Sequence, residues 1–374
     1  MNLVASVPQG LEEALANEIA KLGASDIKTH KRFVSFKCNK RNFFKLHFYS
    51  KIAFRFYREV ASFYCFDKSS LYEGVQNSFD WLNWLPPQNS FCVTVTGSLP
   101  SLSHSHFTAL EVKNAIVDLQ KSNWGSRSSV STHDPYLIIH LHLRNDKAIL
   151  SLPSTLNSLH KRGFRPSLGF APLKENFASG LLQMTGWDGQ QPLIDIMCGS
   201  GTFLIEGVSH AFDMPIKLQK KYLFENWLDF DKEIFLQEKQ KINQNFIHNT
   251  SYKNVIGCEI NFQVYNQAKK NILMSGMQNY IELHNKDFSE LVINQTKGII
   301  ICNPPYGKRL GNEKELVNLY SKIGEFLKKN CSGWEFWLLS GNPALTQYLK
   351  MKASRKIQVS NGGIDCRWIQ YLIR

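Results

Sequence analysis

Three short apolar runs in the second half of the chain each end at a cluster of Gly, Asn, Pro or acidic residues, and each is followed by a helical pattern. The runs cover 193–197, 255–259 and 299–303, and the helical patterns begin at 202, 262 and 315. Short apolar strands that alternate with helices indicate a parallel sheet covered on both faces. A strand at 334–340 and a hairpin at 357–373, turning at Asn361-Gly362-Gly363, complete the predicted sheet.

The first of these strands runs into a glycine turn. Residues 194–202 read IDIMCGSGT, so that Gly199 and Gly201 stand between the strand and the helix. Glycine lets the backbone approach a ligand closely, and free N–H groups at a helix N-terminus favour an anionic group. A purely structural turn is the alternative. A dinucleotide fingerprint would place a third glycine at 204, where this chain has Leu204.

The ends of the next two strands carry acids. Glu259 closes its strand and is able to hold both hydroxyls of a ribose, although a solvated Glu at a strand end is common. The Lys286-Asp287-Phe288 stretch offers an acid and an aromatic ring for the edge and face of an adenine. Because ligands of open α/β sheets bind at the carboxyl ends of the strands, these side chains are expected to share one site.

The strand at 299–303 ends in Asn303-Pro304-Pro305-Tyr306. Two consecutive prolines donate no N–H and cannot continue a sheet, so they predict a stiff loop at the carboxyl end of this strand. A rigid turn is the bland alternative for the tetrapeptide alone. In series with the other strand ends, the loop indicates a ligand site.

The first half has a different organisation. An extended segment at 2–7, a turn at 8–10 and a helical pattern at 11–22 are followed by β-rich runs at 33–36 and 54–66. A strand at 91–96, a helix at 108–121 and strands at 137–143 and 148–152 then indicate a small α+β unit. We predict domains at 1–60, 61–160 and 161–374, with a break near 165–172 and an inserted segment at 211–252.

The charge balance points to an anionic partner. The chain carries 44 Lys and Arg against 31 Asp and Glu, and eleven of the basic residues stand between Lys21 and Arg58, where Asp26 is the single acid. Such an excess is typical of proteins that bind nucleic acid. A solvated surface is the alternative for any single lysine. The candidate contacts to RNA phosphates are Lys31, Arg32, Lys37, Lys40, Arg41, Lys113, Lys161, Arg162 and Arg165.

Other classes of protein are disfavoured. No run approaches the 18 apolar residues of a membrane span, and the acidic start differs from a secretory signal, so we expect a cytoplasmic protein that does not bind a membrane.

The pairs His104-x-His106 and His140-x-His142 would each share one face of a strand. Without a Cys or acidic cluster beside them, we interpret them as solvated strand positions and expect no metal site.

Several stretches of the chain resemble a known family of enzymes. The Asn-Pro-Pro-Tyr motif is similar to that of class I S-adenosylmethionine-dependent methyltransferases that act on exocyclic amino groups. The stretches LHKRGFR, APLKENFASGLL, DIMCGSGTFLIEG, CNPPYGKRLG, GWEFWLLSGN and KASRKIQVSNGGIDCRWIQYLI resemble the methyltransferase half of bacterial 23S rRNA (guanine-N2)-methyltransferases, and TGSLPSLSHSHFTALEVKNAIVDLQ resembles their THUMP RNA-binding domain.

The resemblance implies a fold and a partner. It implies an α/β, Rossmann-like methyltransferase domain with a seven-stranded sheet, preceded by α+β ferredoxin-like and THUMP domains. The best-known members carry a second, fused methyltransferase domain, and this chain is expected to be a stand-alone form without it. The implied substrate is 23S rRNA or a ribosome-assembly intermediate, and the implied cofactor is S-adenosyl-L-methionine.

The resemblance also implies roles for the residues at the strand ends. Asn303 and Pro304 would accept the two N–H groups of a guanine amine, beside Pro305, and Tyr306 would stack on the base. Glu259 would hold the ribose and Asp287 the adenine amine. The implied cofactor-binding set is Asp195, Met197, Cys198, Gly199, Gly201, Thr202, Glu259, Asp287, Phe288 and Asn303.

Three alternatives stay open. An adenine-N6 or other amino-group methyltransferase that acts on DNA or tRNA would share the Asn-Pro-Pro-Tyr chemistry. A non-catalytic RNA-binding factor in ribosome assembly could keep the fold. A nicotinamide-dependent enzyme is disfavoured by Leu204 and by the long separation of Asp195 from Glu259, where a compact dinucleotide unit expects about 20 residues.

Overall fold

A computed structural model describes residues 1–163, 173–216, 221–244, 254–305 and 313–374. Two sheets organise these residues, one in each half of the chain. Within the described ranges, no helix is long and apolar enough to cross a membrane.

The first sheet has eight strands in the order β2-β3-β1-β4-β8-β7-β5-β6. Its strands are β1 (Asn2–Ser6), β2 (Ser25–His30), β3 (Phe33–Lys37), β4 (Arg55–Tyr64), β5 (Ser90–Gly97), β6 (Ser129–Val130), β7 (Leu137–Arg144) and β8 (Lys147–Pro153). The long strand β4 pairs with β1 through its first residues and with β8 along most of its length. The boundary that we predict between 60 and 61 therefore falls inside a continuous strand that joins the two N-terminal units.

Helices pack on this sheet. They are α1 (Glu12–Lys21), α2 (Lys40–Tyr49), α3 (Lys68–Ser78), α4 (Trp81–Trp84) and α5 (Ser105–Trp124). His104 is the residue before α5 and His106 lies in its first turn, so the interpretation of this pair as strand positions is wrong. The apolar residues of α5 recur at helical spacing only from Thr108, which is why the pattern placed the helix start three residues too late.

The second sheet has the seven strands that the resemblance implies, in the order β11-β10-β9-β12-β13-β15-β14. The strands are β9 (Leu193–Asp195), β10 (Val255–Cys258), β11 (Ile281–His284), β12 (Ile299–Cys302), β13 (Glu335–Ser340), β14 (Ala353–Asn361) and β15 (Ile364–Leu372). The first five are parallel, and β15 inserts antiparallel between β13 and β14. All four residues of β12 are buried, as expected for a central strand covered on both faces.

The helices of the second half are α6 (Glu175–Thr185), α7 (Thr202–Ala211), α8 (Lys232–Gln244), α9 (Phe262–Ser275) and α10 (Glu313–Asn330). Three of them, α7, α9 and α10, are the next described helices after the predicted strands, which confirms the predicted alternation. The break predicted near 165–172 lies mostly outside the described residues, because 164–172 are not among them.

The segment predicted as an insert is part of the junction between the halves. Its described portion holds a 3₁₀ helix at Leu223–Asn226 and α8, and it packs on α2. The ring of Phe224 lies 5.2 Å from that of Phe43, and the ring of Phe235 lies 5.3 Å from that of Phe44. The aromatic residues of this segment therefore serve as core between two domains.

Candidate functional site

The strand register brings the predicted site residues to one edge of the second sheet. Asp195 at the end of β9 is level with Gly257 of β10 and with Ile301 of β12. Glu259 and Asn303 each follow two residues beyond that level. Because these neighbouring strands are parallel, their carboxyl ends meet at the same edge, and the glycine turn, Glu259 and the Asn-Pro-Pro corner adjoin one another there.

The glycine turn is held from the neighbouring strand. The Gly199 N–H donates to Glu259 Oε2 at 3.1 Å, and the Cys198 N–H donates to the Cys258 carbonyl at 2.9 Å. Gly199 and Gly201 have φ values of 55° and 83°, which a residue with a Cβ rarely adopts. A Cβ at Gly199 would meet nothing within 4 Å, so this position of the turn faces open space.

A buried side chain from α9 supports the same turn. The Asn271 side chain donates to the Ser200 carbonyl at 3.0 Å. At the start of this helix, the Asn261 side chain accepts from the backbone N–H groups of Gln263 and Val264. The backbone N–H of Asn261 donates to Glu259 Oε1 at 2.9 Å. Sequence reasoning missed Asn271, because an Asn within a helical pattern carries no local signal of a distant partner.

Asp195 is a buried acid next to a second carboxylate. Its Oδ1 accepts from the Met197 N–H at 3.2 Å. Burial raises the pKa of the Asp195 carboxyl to about 8. The hydrogen bond from the Met197 N–H lowers this pKa, and the nearby Glu259 carboxylate raises it further. A cationic group placed here would favour the charged form of the acid. The chemistry of the turn therefore fits the ammonium group of a methionine moiety.

Asp287 is an ionised acid with two partners. It accepts from the Ser289 N–H at 2.9 Å and from Lys322 Nζ at 2.7 Å. Partial burial works to raise the pKa of Asp287, but the hydrogen bonds from Lys322 and Ser289 outweigh it, so the pKa is lowered. Asp287 lies beyond the end of β11, at the same edge of the sheet as Glu259.

The ring of Phe288, which is expected to offer its face to an adenine beside Asp287, is not exposed. Phe288 is only 5% exposed, and its ring packs edge-on against that of Phe326 at 5.5 Å. The predicted stacking role of Phe288 is therefore wrong, because the ring belongs to the core beneath the sheet edge. Ile260, which directly follows Glu259, is 63% exposed and offers an apolar surface at this edge instead. No local pattern in the sequence marks Ile260, since a single apolar residue after a strand resembles ordinary chain.

Asn303 places a buried side-chain oxygen at the corner after β12. Its Oδ1 atom is buried and has no hydrogen-bond partner among the described residues. A buried carbonyl without a donor is costly, and such atoms in native proteins call for an explanation such as a ligand. Pro304 is buried and Pro305 is half-buried beside it. Tyr306, the fourth predicted catalytic residue, lies outside the described residues.

The other predicted cofactor residues form the walls of the turn. Met197 is half-buried, whereas Cys198 and Thr202 are buried. Burial raises the pKa of the Cys198 thiol well above its usual range, and the carboxylates of Asp195 and Glu259 add to this effect. The thiol is therefore neutral at physiological pH, and Cys198 shapes the turn without acting as a nucleophile.

The predicted RNA contacts divide into exposed and engaged side chains. Lys31, Arg32, Lys37 and Lys161 are exposed, although Lys37 also pairs with Asp26 at 2.8 Å, and Lys113 is half-buried. Three others serve the junction between the halves: Lys40 donates to the Asp229 carbonyl, Arg41 pairs with Glu238, and Arg162 pairs with Glu206. Arg162 is only 5% exposed, so its assignment to RNA is wrong; Arg165 lies outside the described residues.

The histidine pair on β7 has partners of its own. The two ring nitrogens of His140 lie 2.9 Å and 3.0 Å from the hydroxyls of Thr94 and Thr96. Burial lowers the pKa of His140 to about 4. In the part of the chain that the structure describes, no three His, Cys, Asp or Glu side chains are grouped so as to hold a metal ion.

A seven-stranded sheet of this order, with a glycine turn, the carboxylate of Glu259 and an Asn-Pro-Pro corner at its carboxyl edge, defines a class I S-adenosylmethionine-dependent methyltransferase. Residues 162–370 match the family described as RMKL-like, methyltransferase domain, and the chain belongs to that family. Residues 67–153 match the THUMP domain and residues 2–57 match the RlmL ferredoxin-like domain, which confirms the resemblance found in the sequence.

Individual proteins resemble the chain over its whole length. It is 37% identical to the "Putative RNA methyltransferase slr0064" of Synechocystis, over 98% of this chain and 95% of that protein. It is 32% identical to the ribosomal RNA large subunit methyltransferase K/L of Vibrio parahaemolyticus, over 99% of this chain but 53% of that protein. The chain thus spans about half the length of the K/L relatives.

A solved structure has the same fold. The crystal structure of SMU.472, "a putative methyltransferase complexed with SAH", superimposes with a TM-score of 0.91 at 26% identity, over 100% of this chain and 98% of that one.

Proposed function

We propose that this chain transfers a methyl group from S-adenosylmethionine to the N2 amine of a guanosine in 23S rRNA. The observation that carries the proposal is the buried Oδ1 of Asn303, which has no hydrogen-bond partner among the residues that the structure describes and lies at the carboxyl edge of the sheet beside the glycine turn. The THUMP domain and the names of the relatives support an RNA substrate.

The cofactor supplies a methyl group on a positively charged sulfur. Asp195 would bind the ammonium end of the methionine moiety, and Glu259 would accept hydrogen bonds from the ribose hydroxyls. Asp287 would accept from the adenine amine, for which its lowered pKa keeps it ionised. Ile260 would cover one face of the adenine ring, which is the role that the buried ring of Phe288 does not fill.

The substrate amine needs orientation more than a base. The lone pair of the guanine N2 is delocalised into the ring, so acceptors on its two N–H groups favour the pyramidal form that attacks the methyl carbon. The Asn303 side-chain oxygen and the Pro304 carbonyl would be those acceptors. Asn cannot take up a proton readily, so the proton leaves to water after the C–N bond has formed. Alignment of this kind lowers barriers by about 7 to 11 kcal/mol in intramolecular systems.

The target base must leave its stack to reach this edge. A paired guanosine hides its amine inside the duplex, so the target is single-stranded or is flipped out before reaction. Tyr306 is proposed to stack on the flipped base, which for aromatic platforms contributes about 1 to 3 kcal/mol. The exposed side chains of Lys31, Arg32, Lys37 and Lys161 would hold phosphates of the flanking RNA.

The Asn303→Ala variant tests the proposal. Methyl transfer to an unmodified 23S rRNA transcript should fall at least 100-fold, while the dissociation constant for S-adenosylhomocysteine, measured by calorimetry, should change less than threefold. The matched control is Asn123→Ala, on the exposed end of α5, which should leave both values unchanged. An equal loss of transfer and of cofactor binding would contradict the role of Asn303.

Product analysis tests the target. Digestion of the methylated transcript to nucleosides should release N2-methylguanosine, and rRNA from cells that lack this protein should miss the methyl group at one guanosine. N6-methyladenosine as the product, or transfer to DNA in preference to RNA, would replace this proposal with the adenine-N6 alternative. Binding of RNA without any methyl transfer would favour the assembly factor.

A further inference from the structure

A buried turn at residues 50–53 connects α2 to β4 and lies where the N-terminal half meets the methyltransferase domain. All four residues of this turn are buried. The carboxylate of Glu18 in α1 accepts from Ser50 Oγ at 2.6 Å and from the N–H groups of Lys51 and Ile52 at 2.9 Å and 3.3 Å. A buried acid with several donors fixes the local backbone, because each donor would be costly to leave unpaired.

The methyltransferase domain holds the same turn from the other side. On α6, the Asn176 side chain donates to the Ile52 carbonyl at 3.0 Å, and Gln183 donates to Glu18 Oε2 at 3.1 Å. On α7, the Ser209 carbonyl accepts from the buried Lys51 Nζ at 2.7 Å. A lysine at this position also suits the negative end of the α7 dipole.

Arg162 connects the turn to the middle of α7. Its Nη2 donates to the Lys51 carbonyl at 2.7 Å, its Nη1 donates to the Leu159 carbonyl at 2.8 Å, and its Nε lies 3.4 Å from Glu206 Oε1. The second oxygen of Glu206 accepts from Ser179 Oγ of α6. Both charged side chains of this pair are almost completely buried.

The helix that receives these contacts is the one that follows the glycine turn. Gly201 precedes its first residue, Glu206 lies at its middle and Ser209 lies in its last turn. A helix of ten residues is about 15 Å long and moves as one body. A displacement of the N-terminal half at residues 50–53 would therefore be transmitted to the turn at which the cofactor is proposed to bind.

Buried ion pairs are poor sources of adhesion, because desolvation offsets most of their attraction. The aromatic contacts between α2 and residues 221–244 already supply apolar adhesion between the halves. What the polar contacts add is direction, since each requires particular distances and angles.

We propose that Arg162, Glu206 and Lys51 are positioning residues that fix the N-terminal half relative to the cofactor turn, and thereby set where bound RNA presents its target base. This inference rests on the proposed function for its effect on catalysis, but not for its effect on structure. A misplacement of about 1 Å can cost 10²-fold in rate, so a loosened junction should lower turnover more than it lowers binding.

The decisive variant is Arg162→Met, with Glu206→Gln as a second variant that preserves shape and the acceptor for Ser179. With an unmodified 23S rRNA transcript, kcat should fall at least tenfold, while KM for the transcript and the dissociation constant for S-adenosylhomocysteine should change less than threefold. Arg162→Lys, which keeps the charge, should recover part of kcat. The matched control is Lys68→Met, which breaks an exposed pair of similar length, 3.5 Å to Glu111, and should leave kcat unchanged.

Hydrogen exchange supplies a readout that does not need activity. In Arg162→Met and Glu206→Gln, the amides of Lys51 and Ile52 should exchange at least tenfold faster, while amides in β12 should keep their protection.

A variant that unfolds at a lower temperature but retains kcat and the slow exchange at 50–53 shows that the replaced residue has only a structural role, and that result overturns the inference. If the wild-type protein transfers no methyl group to any rRNA, the proposed function fails, and the exchange rates alone decide this inference. If Arg162→Met does not fold, Glu206→Gln decides between the same outcomes.

Discussion

The buried carboxyl of Asp195 makes the stability of the ligand-free protein depend on pH. Its pKa is about 8 in the folded protein and near 4 in the unfolded chain, so between these values the folded state holds a proton that the unfolded state has released. The free energy of unfolding should therefore fall as pH rises from 4 to 8. The Asp195→Asn variant should lose less stability over this range than the wild-type protein.

Urea denaturation at pH 5 and pH 8 measures the difference. Asp134→Asn, at an exposed position, is the matched control and should follow the wild-type protein. Parallel pH profiles for the wild-type protein and Asp195→Asn would show that this carboxyl is not the group responsible.

Asn271 should matter for cofactor affinity although it touches no predicted ligand atom. Its hydrogen bond to the Ser200 carbonyl holds the glycine turn, and a bond of this kind contributes about 1 kcal/mol, which is a factor of about five in affinity. We expect Asn271→Ala to weaken S-adenosylhomocysteine binding by about fivefold in calorimetry. Asn266→Ala, on the exposed side of the same helix, should leave it unchanged, and equal effects of the two variants would reject this role.

At the scale of elements, the contact between α2 and residues 221–244 is an apolar core in its own right. The Phe224 ring lies 5.2 Å from Phe43, 5.4 Å from Phe44 and 4.9 Å from His47, and it is almost completely buried. Removing such a ring costs about 3 to 5 kcal/mol.

We expect Phe224→Ala to lower the free energy of unfolding by this amount in urea titrations. Leu228→Ala, at a neighbouring side chain that is 61% exposed, should change it by less than about 0.5 kcal/mol. A similarly small effect of Phe224→Ala would mean that the segment is loosely attached, as an insert would be.

The sequence pattern predicts the elements whose apolar residues form a continuous run or recur at helical spacing. Six of the seven strands of the second sheet and the helices α7, α9 and α10 are predicted from apolar runs, a hairpin turn and helical periodicity, whereas no range is predicted for β11. Strand β2 gave no such signal, since almost all of its residues are exposed. The basic residues of α2 suggest a surface segment, and its apolar face is recognisable only once residues 221–244 lie against it.

At the scale of the whole molecule, the net charge of +13 should make RNA binding depend steeply on salt. Each phosphate contact contributes about 0.7 to 0.9 to the slope of log affinity against log salt. Lys31→Ala and Arg32→Ala should therefore each lower the slope by about that amount in filter-binding titrations with a 23S rRNA fragment. Arg162→Met should leave the slope unchanged, because that guanidinium is buried. An affinity that barely changes with salt would contradict the role of the basic surface.

The amino-acid sequence is enough to predict the alternating sheet, the polar residues at its carboxyl edge and the excess of positive charge. These properties are local, since periodicity, glycine turns and consecutive prolines act within a few residues of chain. The tertiary structure alone establishes that Arg162 is buried against Glu206, that Phe288 belongs to the core, and that Asn271 holds the glycine turn. Burial and hydrogen bonding of a side chain depend on partners distant in sequence, which no local pattern specifies.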